Sequence, residues 1–151
     1  MPPIRKKITW AAVADGTKAL LLLNAGTDAR PRLSVLAKAE LENPPTREQG
    51  SDRPGRMADR GPGQRSALEI TDWHEFEETR FVREFADRLN RAAQRNRFER
   101  LILVAPPKVL GALRPALSPA VGERIAAEIP SDLTKHPVNE IERLIARKMW
   151  G

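Results

Sequence analysis

Residues Leu101-Ile102-Leu103-Val104-Ala105 form an unbroken apolar run, stopped at once by Pro106-Pro107. A strand this short with no polar alternation is covered on both faces, as in the parallel part of an α/β sheet. The segments around it supply the cover. Over roughly Trp73 to Asn96, Phe81, Phe85, Leu89 and Ala92, with Val82, Ala86 and Ala93, recur at i, i+4 and predict an amphipathic helix. After the run, Lys108 to Arg114 opens a short helix behind its proline, and Ser118 to about Glu123 continues as helix. Ile125, Ala127 and Ile129 alternate and predict a further strand, although Val121, Ile125 and Glu128 also suit a longer helix. Pro137 to Met149 closes as a helix with Val138, Ile141, Leu144 and Ile145 inward.

The first forty residues read as strands. Ile8 to Ala14 is β-prone, and Asp15-Gly16 is the dipeptide that supplies the positive φ angles of a two-residue hairpin turn. Thr17 to Ala25 is the return strand, and Leu33 to Leu41 follows a turn-rich stretch. The order β-β-β-loop-α-β-α-β-α predicts an α/β fold: a mixed sheet of about five strands, an antiparallel meander plus a parallel part, with packed helices. A length of 151 residues suits one domain over 1–151. At that length roughly 70% of the unfolded surface is buried, so the core needs neither disulfide nor metal.

Between these halves, residues 43–67 change character, with four Pro, four Gly and few apolar side chains. Such a stretch does not bury enough to offset its ordering entropy, and predicts a long flexible loop that is functional or disordered.

No cysteine is present, which excludes disulfides, thiolate zinc sites and cysteine nucleophiles. The basic start Met1 to Lys7 leads into no apolar run of signal-peptide length, and Ala19 to Leu23 is far short of a membrane span. A cytoplasmic protein with no membrane contact is expected. The net charge of +6 favours anionic partners such as nucleic acid or the ribosome, or serves solubility alone.

On the predicted long helix, Arg80, Arg88, Arg91 and Arg95 fall within about 80° of one another. Glu84 sits among the first of them, and the second half, through Arg97, lacks acids. Arg88, Arg91 and Arg95 are therefore candidate nucleic-acid contacts, or an ordinary solvated face. Lys108, where a strand passes into a helix start, is a candidate anion-binding residue.

Other chemistry is thinly supplied. There is no Walker A sequence, no intact Gly-x-Gly-x-x-Gly and no Gly-x-Ser-x-Gly. His74 and His136 have no ligand-spaced partners, and neither Ser118 nor Ser131 stands at a spacing that suggests a nucleophile. Asp15, Glu40 and Asp132 form a weak candidate for magnesium; no metal and no cofactor are expected.

Four blocks of this sequence resemble a known family: Trp10 to Ala19; Asp52-Arg53-Pro54-Gly55-Arg56 with Arg65-Ser66-Ala67; Val104 to Gly111; and Asp132 to Ile141. In this order, over about residues 5 to 147, they resemble the bacterial host attachment protein family, proteins required for attachment to host cells. That family is in turn similar to the middle domain of the archaeo-eukaryotic peptide release factor, an RNase H-like fold carrying a Gly-Gly-Gln motif on a mobile loop before a long helix. This chain has Gly61-Pro62-Gly63-Gln64 at the matching position.

The resemblance implies an RNase H-like, release-factor-middle-domain-like fold and a role at the ribosome or on tRNA or rRNA. If catalysis is retained, Gln64 orients a water at the peptidyl-tRNA ester, while Gly61 and Gly63 let the backbone approach. Arg53, Arg56, Arg60 and Arg65 then meet RNA phosphates. Pro62 departs from the Gly-Gly pair by fixing its own φ and restricting Gly61. The chain's length leaves no room for a codon-reading domain, so stop-codon reading is not expected; nor, without export signal or disulfides, is an adhesin. Three functions stand open: ribosome or RNA binding through the basic Gly/Pro-rich loop, peptidyl-tRNA hydrolysis by that loop in ribosome rescue, and a non-enzymatic protein-interaction module.

Overall fold

The computed structural model describes residues 7–41 and 67–150, the backbone alone for 67–72 and 150. Five strands form one sheet: β1 (Thr9–Ala14), β2 (Lys18–Asn24), β3 (Leu33–Glu40), β4 (Arg100–Val104) and β5 (Ile125–Ile129). The order is β3-β2-β1-β4-β5. β2 is antiparallel to β1 and β3, whereas β1 pairs β4 and β4 pairs β5 in parallel. This is the meander plus parallel part expected from the sequence. The helices are α1 (Ala67–Gln94), α2 (Pro107–Ala116), α3 (Pro119–Gly122) and α4 (Val138–Trp150).

Apolar residues on both sides of β1 and β4 put a layer on each face of the sheet. Trp10, Ala12, Leu101 and Leu103 pack with Phe85, Leu89 and Leu113 of α1 and α2. Ala11, Val13, Ile102 and Val104 pack with Ile141 and Ile145 of α4. The unbroken run at 101–105 is thus fully buried, as its composition requires. α4 also closes the sheet margin: Leu33 N–H at the start of β3 donates to Glu142 Oε2 at 2.7 Å.

Two details differ from the sequence reading. The β1–β2 turn does not use Asp-Gly at its centre, and no described glycine has a positive φ. Asp15 N–H donates to the Lys18 carbonyl (2.9 Å), placing Gly16-Thr17 at the tip. The Asp15 carboxylate then accepts from the Thr17 and Lys18 amides, each at 2.7 Å, and these bonds close the turn without a left-handed residue.

α1 begins at Ala67, six residues before the expected Trp73. Its apolar periodicity starts late: Trp73 and Phe76 are 52% and 60% exposed, and no described side chain of the helix before Phe81 is buried. Ala67-Leu68-Glu69 are helix formers by propensity, which periodicity does not register. The predicted loop 43–67 otherwise lies outside the described residues.

Candidate functional site

α1 ends in a left-handed residue. Asn96 has φ 53°, its N–H donates to the Ala93 carbonyl (2.9 Å), and Arg97 N–H reaches back to the Ala92 carbonyl (2.9 Å). This is a Schellman ending with Asn in the usual glycine position. Arg124 completes it by donating to the carbonyls of Ala93 and Phe98, both at 3.0 Å, and to Asn96 Oδ1 at 3.1 Å. The reversal carries Arg97 back beside the last turns of the helix.

The result is a groove between α1 and the β2–β3 side of the sheet. One compartment of about 380 Å³ has Arg88, Arg91, Arg95 and Arg97 on its wall, and none of the described acidic residues lines it. Its apolar lining comes from Trp10, Leu21, Leu36, Ala37 and Ala92. None of the four guanidinium groups has a partner among the described residues. A second compartment of about 400 Å³ continues it along α1. Arg88 and Arg91 are shared, and Glu84 and Asp87 add negative charge at that end.

Leu36 owes its place to an irregularity. β3 pairs Val35 with Leu22 and Ala37 with Leu21, so Leu36 is the extra residue of a bulge. Bulges bend a strand and re-aim a side chain; here a 46%-exposed leucine lines a basic groove.

The sequence therefore found Arg88, Arg91 and Arg95 as one face, and the structure joins them in one groove. It missed Arg97 and Leu36. The signal for Arg97 was present, since an asparagine after a long helix suits the left-handed cap. The bulge has no local sequence mark.

Lys108 stands elsewhere. It lines a smaller cleft of about 150 Å³ with Gly16, Glu75, Glu78, Thr79 and Val109, so two carboxylates share its surroundings. Glu78 lies so close over Gly16 that a Cβ there would come within 3.1 Å of its carboxyl group. Gly61, Gly63, Gln64, Arg53, Arg56, Arg60 and Arg65 lie outside the described residues.

Asp15 and Asp132 meet at Thr134, whose buried hydroxyl lies 2.7 Å from Asp15 Oδ2 and 3.1 Å from Asp132 Oδ1. Glu40, at the end of β3, sits in register with Lys18 of β2. No three of the described His, Asp or Glu residues form a group suited to a metal. Burial raises the Asp15 pKa, but the bonds from Thr134, Thr17 and Lys18 outweigh it and leave it below the ordinary 3.8. Ser118 is the cap of α3, accepting from Val121 N–H. His136 Nδ1 lies 2.6 Å from Glu140 Oε1.

Among the described residues no helix is long and apolar enough to cross a membrane. A search of curated proteins finds no match. Among solved structures, the chain is similar to an archaeal translation termination factor at 14% identity and a TM-score of 0.47. That similarity covers 93% of this chain but 37% of the factor, so the chain spans little more than a third of that protein's length. A family model described as bacterial archaeo-eukaryotic release factor family 12 matches residues 8–145, from just before β1 into α4. It supports the release-factor side of the resemblance seen in the sequence and is silent on host attachment. By that match, the chain belongs to the bacterial archaeo-eukaryotic release factor family 12.

Proposed function

We propose that this protein works on the translation apparatus by binding RNA, of the ribosome or of tRNA, through the arginine groove, with the basic Gly/Pro-rich segment 43–67 adding contacts. One observation carries the reading: four arginines line one compartment in which, among the described residues, they meet neither a partner nor an acidic side chain. Guanidinium groups bind phosphate oxygens through paired donors, and family membership supports translation as the setting. The cytoplasm is then the place of action.

The test is co-sedimentation with ribosomes across a salt series. Binding should fall steeply with salt, and Arg91→Ala should weaken it and reduce the log–log salt slope by about 1. Salt-insensitive binding, or an Arg91→Ala variant bound as well as the parent, would instead point to docking on a protein surface.

A second reading has one observation in its favour, the Gly61-Pro62-Gly63-Gln64 sequence shortly before α1. In this reading Gln64 orients the water that hydrolyses peptidyl-tRNA on a stalled ribosome. Gln64→Ala should then abolish nascent-peptide release while leaving co-sedimentation intact. Equal release by parent and variant would remove Gln64 from the chemistry.

A further inference from the structure

The arginine compartment holds more than charge. A surface that only neutralises phosphates needs cations on a polar face, since backbone contacts carry the affinity. Here the arginines share the compartment with Trp10, Leu21, Leu36, Ala37 and Ala92; Trp10 and Leu21 are buried, so the bulged Leu36 is its main accessible apolar side chain. Leu36 is 46% exposed, a cost in water that an apolar ligand surface removes. The volume, about 380 Å³, lies within the roughly 300–1,000 Å³ range of small-molecule sites. It suits one flat ring system with its attached phosphate and is far too small for a duplex.

Three ligand classes fit the charge: duplex nucleic acid, an acidic protein segment and single-stranded RNA. A duplex presents its bases stacked inside, leaving Leu36 uncovered. An acidic peptide offers a planar apolar group only where an aromatic residue adjoins its carboxylates, and a carboxylate presents fewer acceptor oxygens than a phosphate. An unpaired nucleotide offers base and phosphate together, since single-stranded RNA is recognised by splaying its bases onto apolar, aromatic or guanidinium surfaces.

We infer that this compartment is a pocket for one unpaired nucleotide of single-stranded RNA, its base against Leu36 in the lining completed by Trp10, Leu21 and Ala37. The flanking phosphates lie on Arg88, Arg91, Arg95 and Arg97. The inference rests on the RNA-binding reading above and adds what that reading leaves open: strandedness, and contact with a base. Leu36 is then a specificity residue, and the β3 bulge is the device that presents it. Arg88 and Arg91, shared with the neighbouring compartment, guide the strand along α1.

The experiment uses the full chain and three labelled probes at one salt concentration: a mixed-sequence single-stranded 12-mer RNA, a duplex of the same charge, and an abasic 12-mer. The single strand should bind at least tenfold more tightly than either comparator. Leu36→Ser should lower single-strand affinity toward that of the abasic strand and leave abasic binding unchanged. Arg91→Ala should weaken binding to all three. Equal affinity for the three probes, or an unaltered single-strand preference in Leu36→Ser, overturns the base pocket while leaving RNA binding intact. Displacement of the RNA by poly-glutamate at comparable concentration also overturns it. Absence of binding to every probe and to ribosomes sinks both readings together.

Discussion

Asp15 shows how one carboxylate serves two parts of the chain. Its Oδ1 closes the β1–β2 turn, and its Oδ2 accepts from Thr134, 119 positions away, tying that turn to the segment between β5 and α4. Thr134 has one hydroxyl proton for two carboxylates, and the shorter contact assigns it to Asp15. Thr134→Val leaves a partly buried anion without this donor and should cost about 1–3 kcal/mol in urea unfolding at pH 7. The pH dependence has a definite sign. A carboxyl group held below its ordinary 3.8 stabilises the fold above that pH, and the contribution is lost as pH falls through the lowered folded value. The stability gap between the parent and Asp15→Asn should therefore be constant near neutrality and shrink below about pH 3.8. The turn half of this arrangement was legible, because Asp-Gly marks a turn. The Thr134 half was not, since no local pattern reveals a partner so far along the chain.

At the scale of elements, α1 does most to build the groove. Its register was readable from Phe81 to Ala93, where the core demands an apolar residue on each turn. Its beginning was not, because the exposed Trp73 and Phe76 give no buried face to mark the approach to Phe81. Its end depends on Asn96, and substitutions there separate backbone strain from side-chain contact. Asn96→Ala loses the bond to Arg124 and forces a Cβ-bearing residue without local hydrogen bonding into left-handed geometry, a cost of about 1–2 kcal/mol. Asn96→Gly loses the same bond but relieves the strain, so its melting temperature should lie above that of the Ala variant. If Ala and Gly melt together, the left-handed cap is not what holds this end. The groove's other wall, β3, was legible as a strand, but its bulge was not: a one-residue insertion leaves composition and hydropathy unchanged while altering which side chain faces the ligand.

For the whole molecule, the meander and the parallel part were legible in the strand patterns, and the observed sheet order agrees with their burial. Runs buried on both faces form the centre, and half-buried strands form the margins. Leu103→Ala, at a fully buried position of β4 facing α1 and α2, should cost about 2–5 kcal/mol by denaturant titration. A loss under 1 kcal/mol would mean that this layer is not close-packed. The groove was less legible than the sheet because it belongs to no single segment: α1, the turn after it and three strands each supply a wall. The strand pairing also sets a sequence of events during synthesis. β1 zips onto β2 locally, but its other flank waits for β4, with Thr9 opposite Arg100, 91 positions later. A nascent chain thus carries an early hairpin with one open, apolar seam until the fourth strand emerges, and in that interval it is most exposed to misassembly with its neighbours.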